Sequence, residues 1–292
     1  MLIECTTTTV RSTSPIERSV TAGQILRNWA WSSANVCPAM RGRYFPRRAV
    51  ASVGDVGQAL DGRVIAVAGG AGTLGPTVVR RLAAAGALVC VCGRDQDSLD
   101  ALAGRIEPTI ETDVVDLLDP EATKTWAADL AARHDGRVDG LVHLVGGWRG
   151  GTPIEEAPLA DWDVLSALLV STLQHATQAF TPYLLASGRG RFVIVGAGQA
   201  QSPTHPNAAY ASAKAAADTW TLALADRFKG SGATANIVVI GAIVTEEMRA
   251  ESPDKDFSTF TPSEEIAEAI AYLVSDDAAS MNGQRVTLRG AY

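Results

Sequence analysis

Residues 64–75 read VIAVAGGAGTLG, an apolar run that leads into glycines at positions 69, 72 and 75 and then into a helix-length segment. Glycines spaced in this way allow a tight strand-to-helix turn and let the backbone approach a phosphate at the positive end of the helix. Thr73 and Leu74 lie between the second and third glycines. The order of strand, loop and helix favours a loop that binds the pyrophosphate of a dinucleotide, and a tight turn without a ligand is the alternative.

The pattern around this loop repeats along the chain. From residue 63 onward, short β-branched runs alternate with Ala-rich segments of helix length, which predicts βαβ units and a parallel sheet. Strands are predicted at 63–68, 87–92, 109–112, 138–144, 191–196, 234–240 and 285–288, and helices at 73–85, 96–104, 120–133, 159–185, 207–228 and 263–275. We therefore expect an α/β fold in which residues 61–292 form one Rossmann-type domain, a doubly wound parallel sheet flanked by helices. Ligands bind such a sheet at the carboxyl ends of its strands.

Residues 1–60 differ in composition from the rest of the chain. They contain seven arginines, no lysine and three acidic residues, with many Ser and Thr. This composition predicts a poorly structured, disordered N-terminal extension. An organelle transit peptide, a disordered tail and a wrongly assigned start codon all remain open as its origin.

Charge and hydropathy exclude two classes of partner. The 292 residues carry a formal charge of −7, and no basic run lies beyond residue 60, so we expect no nucleic-acid partner. No apolar stretch approaches the roughly 18 to 20 residues that span a bilayer, so we expect no membrane partner. A small-molecule substrate and a cytoplasmic location are the expectation, with organelle targeting by the extension left open.

Cysteine and histidine positions bear on metal binding and on the redox compartment. Cys90 and Cys92 are spaced i, i+2 inside an apolar run, which predicts reduced thiols in the core. The four histidines are scattered without metal-ligand spacing, so no metal site is predicted.

The end of the second predicted strand bears on the choice of dinucleotide. The strand LVCVC is followed by Gly93, Arg94 and Asp95. An Asp at this tip would bond the ribose hydroxyl of NAD, whereas a guanidinium suits the 2′-phosphate of NADP. Gly93 occupies the tip and Arg94 follows it, so NADP is the predicted cofactor and NAD remains possible. Asp113, followed by Val114, is a candidate for the adenine pocket, and an ordinary acid ahead of a helix is the alternative.

The segment NAAYASAKAAAD at 207–218 places Tyr210 and Lys214 one helical turn apart on the same face of a helix. A phenol with a pKa near 10 exchanges protons poorly at neutral pH until a nearby ammonium lowers that pKa. The pair is therefore a candidate for proton transfer, and two ordinary residues of an exposed helix are the alternative.

Taken together, these motifs resemble those of the short-chain dehydrogenase/reductase family over about residues 61–290. The resemblance rests on AGGAGTLG at 68–75, GR at 93–94, DV at 113–114, GG at 146–147, YASAK at 210–214, Thr245 before EEM, and the segment 262–284. It implies that Tyr210 is the general acid or base, that Lys214 holds the nicotinamide ribose and that Thr245 contacts the carboxamide. It also implies that Gly146 belongs to the cofactor site and that the protein is a homodimer or homotetramer.

Three positions depart from the family pattern. Ala197 stands where the family has its catalytic Ser, Leu169 where it has the Asn of the long helix, and His143 and Leu144 where it has paired asparagines. GGWRGG at 146–151, AG at 197–198 and PDKDFSTFTP at 253–262 are similar to dihydropteridine reductase, a branch of the family that works without that Ser. Trp148, Ala197 and Gln199 are the candidate substrate residues.

The resemblance implies an NAD(P)-dependent oxidoreductase that transfers hydride to a carbonyl, imine or quinonoid substrate, with tyrosine as the proton donor and without the usual Ser and Asn. Hydride delivery leaves a negative atom that a positioned proton donor must neutralise. A catalytically silent nucleotide-binding scaffold or sensor is the alternative, because removing one oxyanion donor typically costs on the order of 10² to 10³ in rate.

Overall fold

The structure is a computed structural model that describes residues 59–288 and 290, together with the backbone of residues 43 and 44. Of the predicted extension 1–60, the structure describes only positions 43, 44, 59 and 60, and Leu60 is buried in the core; Cys5 and Cys37 lie outside the described residues. The described residues belong to one compact unit. Within the described part of the chain, no helix has the length and apolar character needed to cross a membrane.

The sheet is parallel and has eight strands. Their bounds are β1 Arg43–Tyr44, β2 Val64–Ala68, β3 Leu88–Gly93, β4 Glu111–Val114, β5 Gly140–His143, β6 Arg191–Ala197, β7 Thr234–Ile240 and β10 Arg285–Thr287. The spatial order is β1-β10-β7-β6-β5-β2-β3-β4, and β8 Ala242–Val244 pairs with β9 Phe260–Pro262 in a small second sheet. The chain order reverses between β2 and β5, so the cleft at their carboxyl ends is the expected ligand site of a doubly wound sheet.

The helices connect these strands. Their bounds are α1 Gly75–Ala84, α2 Gln96–Ala103, α3 Pro120–Arg133, α4 Ala160–Ser166, α5 Thr172–Ala186, α6 Ala208–Arg227, α7 Glu246–Glu251 and α8 Ser263–Leu273. Short 3₁₀ turns occupy Gly198–Ala200 and His205–Asn207. Residues Ala167–Ser171 form a π-helical segment between α4 and α5.

The predicted fold class is confirmed, and several elements differ from the prediction, among them β8, β9 and α7, which were not predicted. The strand expected at 109–112 is observed at Glu111–Val114, so Asp113 lies inside the strand rather than after it. The single helix expected over 159–185 is divided by the π-helical segment. Arg43–Tyr44 also adds an edge strand within the range predicted to be an unstructured extension.

Two apolar layers cover the sheet, one on each face. Along β2, Ile65 and Val67 belong to one layer, while Val64, Ala66 and Ala68 belong to the other, as the alternation of side chains along a strand requires. The first layer is completed by α1 and α8, and the second by α3, α5 and α6. A strand that is apolar on both faces is typical of a parallel sheet buried between helices.

The two described cysteines match the expectation for core thiols. Cys90 and Cys92 are free and buried, and both belong to the same apolar layer.

Candidate active site

The glycine loop joins β2 to α1 and is shaped by its backbone. Gly69 has a φ of +78°, a left-handed conformation that favours glycine. Within the loop, the N–H of Gly72 donates to the carbonyl oxygen of Gly69 at 3.1 Å, and the N–H of Gly75 donates to that of Gly72 at 3.0 Å. A Cβ on Gly75 would lie 1.8 Å from the carbonyl oxygen of Gly70, so only glycine permits this approach.

A cavity of about 1530 Å³ opens beside this loop, at the carboxyl ends of the central strands. Most of the site residues predicted from sequence line it. These are Gly69, Gly72, Thr73, Leu74, Gly75, Arg94, Gly146, Trp148, Ala197, Gln199, Tyr210 and Lys214. One continuous cavity therefore joins the glycine loop to the Tyr and Lys pair.

Three predicted cofactor residues do not line this cavity. Asp113 accepts hydrogen bonds from Arg133 and from the indole of Trp126, and Val114 is 53% exposed. Asp116 and Leu117, three residues further along, line the cavity instead. The predicted strand ended two residues before its actual end, which is why Asp113 lies inside β4 rather than after it.

The third exception is Thr245, which is buried at the start of α7. Its Oγ1 accepts a hydrogen bond from the backbone N–H of Met248 at 3.2 Å, so the side chain caps the helix. Met248, one turn later, lines the cavity.

Tyr210 and Lys214 lie in the first two turns of α6. The Nζ atom of Lys214 is 5.9 Å from the centroid of the Tyr210 ring and donates to the carbonyl oxygen of Val195 at 2.8 Å. Burial raises the pKa of Tyr210 to about 12 and lowers the pKa of Lys214 to about 8. The expectation that the ammonium makes this phenol more acidic is therefore wrong for the ligand-free chain, because burial of the phenol dominates.

His143 is the last residue of β5 and lines the same cavity as Tyr210 and Lys214. Thr172 donates its single hydroxyl proton to the carbonyl oxygen of Leu168 at 2.6 Å, so at 3.2 Å it accepts from Nε2 of His143. Burial, together with the charge of Lys214, lowers the pKa of His143 to about 3. A neutral imidazole therefore lines the cavity at a position where the resemblance led us to expect asparagine, and the hydroxyl of Thr172 lies beside it.

The end of β6, which contacts α6 through the Lys214–Val195 hydrogen bond, supplies another part of the cavity wall. Ala197 is 3% exposed and ends the strand, and Gln199 follows in a 3₁₀ turn. Oε1 of Gln199 is buried and has no hydrogen-bond partner in the described part of the chain. Ser202 and Thr204 line the same wall. Ala197 thus lines the cavity together with polar groups of Gln199, Ser202 and Thr204.

Several residues that line the cavity were not among the candidate substrate residues predicted from sequence, although His143 was noted there as a departure from the family pattern. These are His143, Thr172, Ser202, Thr204, Lys255 and Phe260. Lys255 Nζ lies 5.2 Å from the ring centroid of Phe260 and stands at the rim of the cavity. The signal that could have found His143 is its position at the carboxyl end of a strand next to the glycine loop.

Arg94, the residue that follows β3, lies at the rim of the cavity. Arg94 is exposed and lines the cavity. The carboxylate of Asp95 accepts from the backbone N–H of Ser98 at 2.9 Å and so caps α2. The guanidinium, rather than the carboxylate, is therefore the free charged group at this rim.

Comparison with known proteins agrees with this arrangement. Residues 63–256 match the family model described as short chain dehydrogenase. D-threitol dehydrogenase of Mycolicibacterium smegmatis is 29% identical over 248 residues, which cover 80% of this chain and 94% of that protein.

Two solved structures share the fold. A short chain dehydrogenase from Escherichia coli CFT073 complexed with NADPH superposes with a TM-score of 0.72 at 24% identity, covering 79% of this chain and 98% of that one. An NADPH-bound short chain oxidoreductase from Pseudomonas aeruginosa with an atypical catalytic centre gives a TM-score of 0.71 at 24% identity, covering 79% and 97% of the two chains.

Proposed function

This chain belongs to the short chain dehydrogenase family and is an oxidoreductase, and from that membership we propose that it reduces a conjugated carbonyl, imine or quinonoid substrate with NADPH. Tyr210 donates the proton. The observation that carries the proposal is that Tyr210, Lys214 and the glycine loop line one cavity. An NADPH complex of a neighbouring structure supports the choice of cofactor.

The glycine loop fits a pyrophosphate. A Cβ on Gly72 would meet only the carbonyl oxygen of Gly69, at 3.4 Å, so the Cα side of this residue is otherwise open to a close ligand. The loop leads into the N-terminus of α1, whose dipole favours negative charge. A bound nicotinamide dinucleotide would supply the hydride.

Arg94 would hold the 2′-phosphate that distinguishes NADP from NAD. Its guanidinium is exposed at the cavity rim, while the neighbouring Asp95 carboxylate is committed to capping α2. A charge-assisted contact with phosphate is the role for which guanidinium is suited.

Lys214 would hold the nicotinamide ribose. One of the three N–H donors of its ammonium is used on Val195, which leaves two for ribose hydroxyls. Lys214 is therefore assigned to binding the ribose and to supplying positive charge next to Tyr210.

The protonation state of Tyr210 favours reduction over oxidation. With a pKa raised to about 12 by burial, the phenol keeps its proton at neutral pH. A protonated phenol can neutralise the negative atom that hydride delivery leaves on the substrate. The absence of a hydroxyl at Ala197 is then offset by two factors: a substrate already polarised by conjugation, and the amide of Gln199 as a hydrogen-bond donor. Rotation of that amide exchanges its oxygen and nitrogen.

The test is a cofactor-oxidation screen with purified full-length protein, using NADPH and NADH against a panel of carbonyls, imines and a quinonoid dihydropterin. Tyr210→Phe should lower kcat by about 10² to 10⁴, the range that general acid catalysis contributes. Tyr183→Phe, which removes a phenol hydroxyl outside the cavity, is the matched control and should keep the parental rate. Equal rates for the parent and Tyr210→Phe would refute the proposed role of the tyrosine.

A second candidate is a nucleotide-binding scaffold or sensor without chemistry. It is favoured by the two apolar side chains, Ala197 and Leu169, at positions where the family has polar catalytic groups. It predicts that NADPH binds, as measured by fluorescence titration, while no member of the panel accelerates its oxidation. Turnover of any panel member above background would exclude it.

A further inference from the structure

Three side chains of metal-binding type meet outside the cavity, near the edge of the sheet. They are Cys90 of β3, Glu111 of β4 and His134, the residue that caps the end of α3. Cys90 and Glu111 are direct partners in the register of the two strands. None of the three lines the cavity, although Cys92, two residues further along β3, does.

One ligand atom from each of the three side chains lies within 4.8 Å of the other two, which is close enough for a shared ion. Sγ of Cys90 is 3.5 Å from Nε2 of His134 and 3.7 Å from Oε2 of Glu111, and Nε2 of His134 is 3.2 Å from Oε1 of Glu111. Tetrahedral zinc with bonds of about 2.3 Å to sulfur and about 2.0 to 2.1 Å to nitrogen and oxygen places its ligand atoms roughly 3.3 to 3.6 Å apart. The cluster could take an ion with little movement of its side chains.

We propose that Cys90, Glu111 and His134 form a binding site for a divalent cation of intermediate softness, with Zn²⁺ as the preferred ion. One thiolate, one imidazole and one carboxylate are ligands that zinc accepts. A water molecule completes the tetrahedron as the fourth ligand. The thiol proton leaves to solvent when the Zn–S bond forms.

Charge around the cluster is balanced for a divalent ion. The bound thiolate and the carboxylate of Glu111 together carry two negative charges, which neutralise Zn²⁺, and the imidazole binds in its neutral form. The nearby guanidinium of Arg133 is already paired with Asp113, at 2.6 and 3.2 Å. The cation is therefore not opposed by an unpaired positive charge on Arg133.

Arg133 also orients the carboxylate ligand. Its Nε donates to Oε2 of Glu111 at 3.0 Å, which leaves Oε1 directed toward His134. Hydrogen bonds of this kind to a ligand carboxylate hold it in position for the metal.

The burial of the three side chains shows how an ion would reach the site. The side chain of Glu111 is 44% exposed and that of His134 12%, while Cys90 is fully buried, so an ion would enter past the carboxylate. Once bound, it would tie the end of α3 to β3 and β4. The ion is therefore structural, and it stabilises the part of the sheet next to the glycine loop.

The test is metal binding by the reduced full-length protein. We expect one zinc per chain that depends on Cys90, a rise in Tm on zinc addition, and a thiolate-to-cobalt charge-transfer band when Co²⁺ replaces zinc. Cys90→Ala and His134→Ala should each weaken zinc binding by at least about 100-fold, the upper end of what losing an outer-shell partner costs.

Matched controls separate the site from other thiols and imidazoles. Cys92→Ala removes a buried thiol of the same strand, and His175→Ala removes an imidazole that bonds the carbonyl of Leu117; both should bind zinc as the parent does. The proposal is overturned if the parent retains no zinc at micromolar free metal. It is also overturned if His134→Ala or Cys90→Ala keeps the parental affinity and cobalt band. Should Cys90→Ala fail to fold, His134→Ala alone decides.

Discussion

The cavity has two halves that are built in different ways. On the glycine-loop side, the shape comes from the backbone, with Gly69 in a left-handed conformation and Gly75 in contact with the carbonyl of Gly70. On the substrate side, side chains such as His143, Thr172 and Gln199 define the wall. The first half tolerates almost no change at its glycines, whereas the second can be altered one side chain at a time.

The largest expected effect is on the glycine-loop side. Gly75→Ala should lower the free energy of unfolding by about 3 kcal/mol or more and abolish NADPH binding, because its Cβ would lie 1.8 Å from a backbone oxygen that cannot rotate away. Urea unfolding and a fluorescence titration measure the two effects.

Gly104→Ala is the control for this substitution. Gly104 has a φ of −66°, and its Cβ would meet the carbonyl oxygen of Asp100 at 3.5 Å, an ordinary contact. It should leave stability within about 0.5 kcal/mol of the parent. Equal stabilities of the two variants would mean that the loop adapts and that the contrast between the halves is wrong.

A smaller effect on stability is expected from His143, on the substrate side of the cavity. The pKa of His143 is about 3 in the folded chain, against an ordinary value near 6.5, so below pH 6.5 only the unfolded chain takes up the proton. Stability should therefore fall as the pH drops from 6.5 toward 3, by up to about 1.4 kcal/mol per pH unit from this group.

His143→Gln should remove this contribution. Between pH 6.5 and 5 the parent should lose about 2 kcal/mol more than the variant in urea unfolding. His205→Gln, at an exposed position, is the control and should keep the parental pH slope. Identical slopes for the parent and His143→Gln would show that His143 does not stay neutral in the folded state.

The smallest effect is expected at Arg94, at the rim of the cavity, and it concerns cofactor affinity. Arg94→Ala should raise the Kd of NADPH about tenfold and leave that of NADH unchanged, because a single exposed guanidinium contributes one screened contact with phosphate. Arg105→Ala removes an exposed arginine that does not line the cavity and should change neither Kd. Parallel losses for both cofactors would show that Arg94 does not discriminate between them.

Sequence reasoning identified the features that depend on local spacing. The glycine loop and the Tyr210–Lys214 pair are each contained in a few consecutive residues, and the structure brings them to one cavity. Strand ends were less accurate: β4 ends two residues later than predicted, so Asp113 lies inside the strand and Asp116, after its end, lines the cavity.

Features that depend on distant residues could not be predicted. The rise in the pKa of Tyr210 comes from burial, which spacing along the chain does not reveal. Thr245 fits the family motif, yet its hydroxyl is used to cap a helix. The cluster of Cys90, Glu111 and His134 joins three separate elements, so no metal-ligand spacing appears in the sequence.

The π-helical segment Ala167–Ser171 separates α4 from α5. Such a segment holds one residue more than an α-helix of the same path, and adjacent residues of a helix are turned by about 100°. Deleting a single codon here would restore a continuous α-helix on that same path and leave the faces of α4 and α5 unchanged relative to each other. The same deletion inside α5 would instead rotate the residues before it by about 100° relative to those after it, so the effect of losing one residue depends on whether it comes from the π-helical segment.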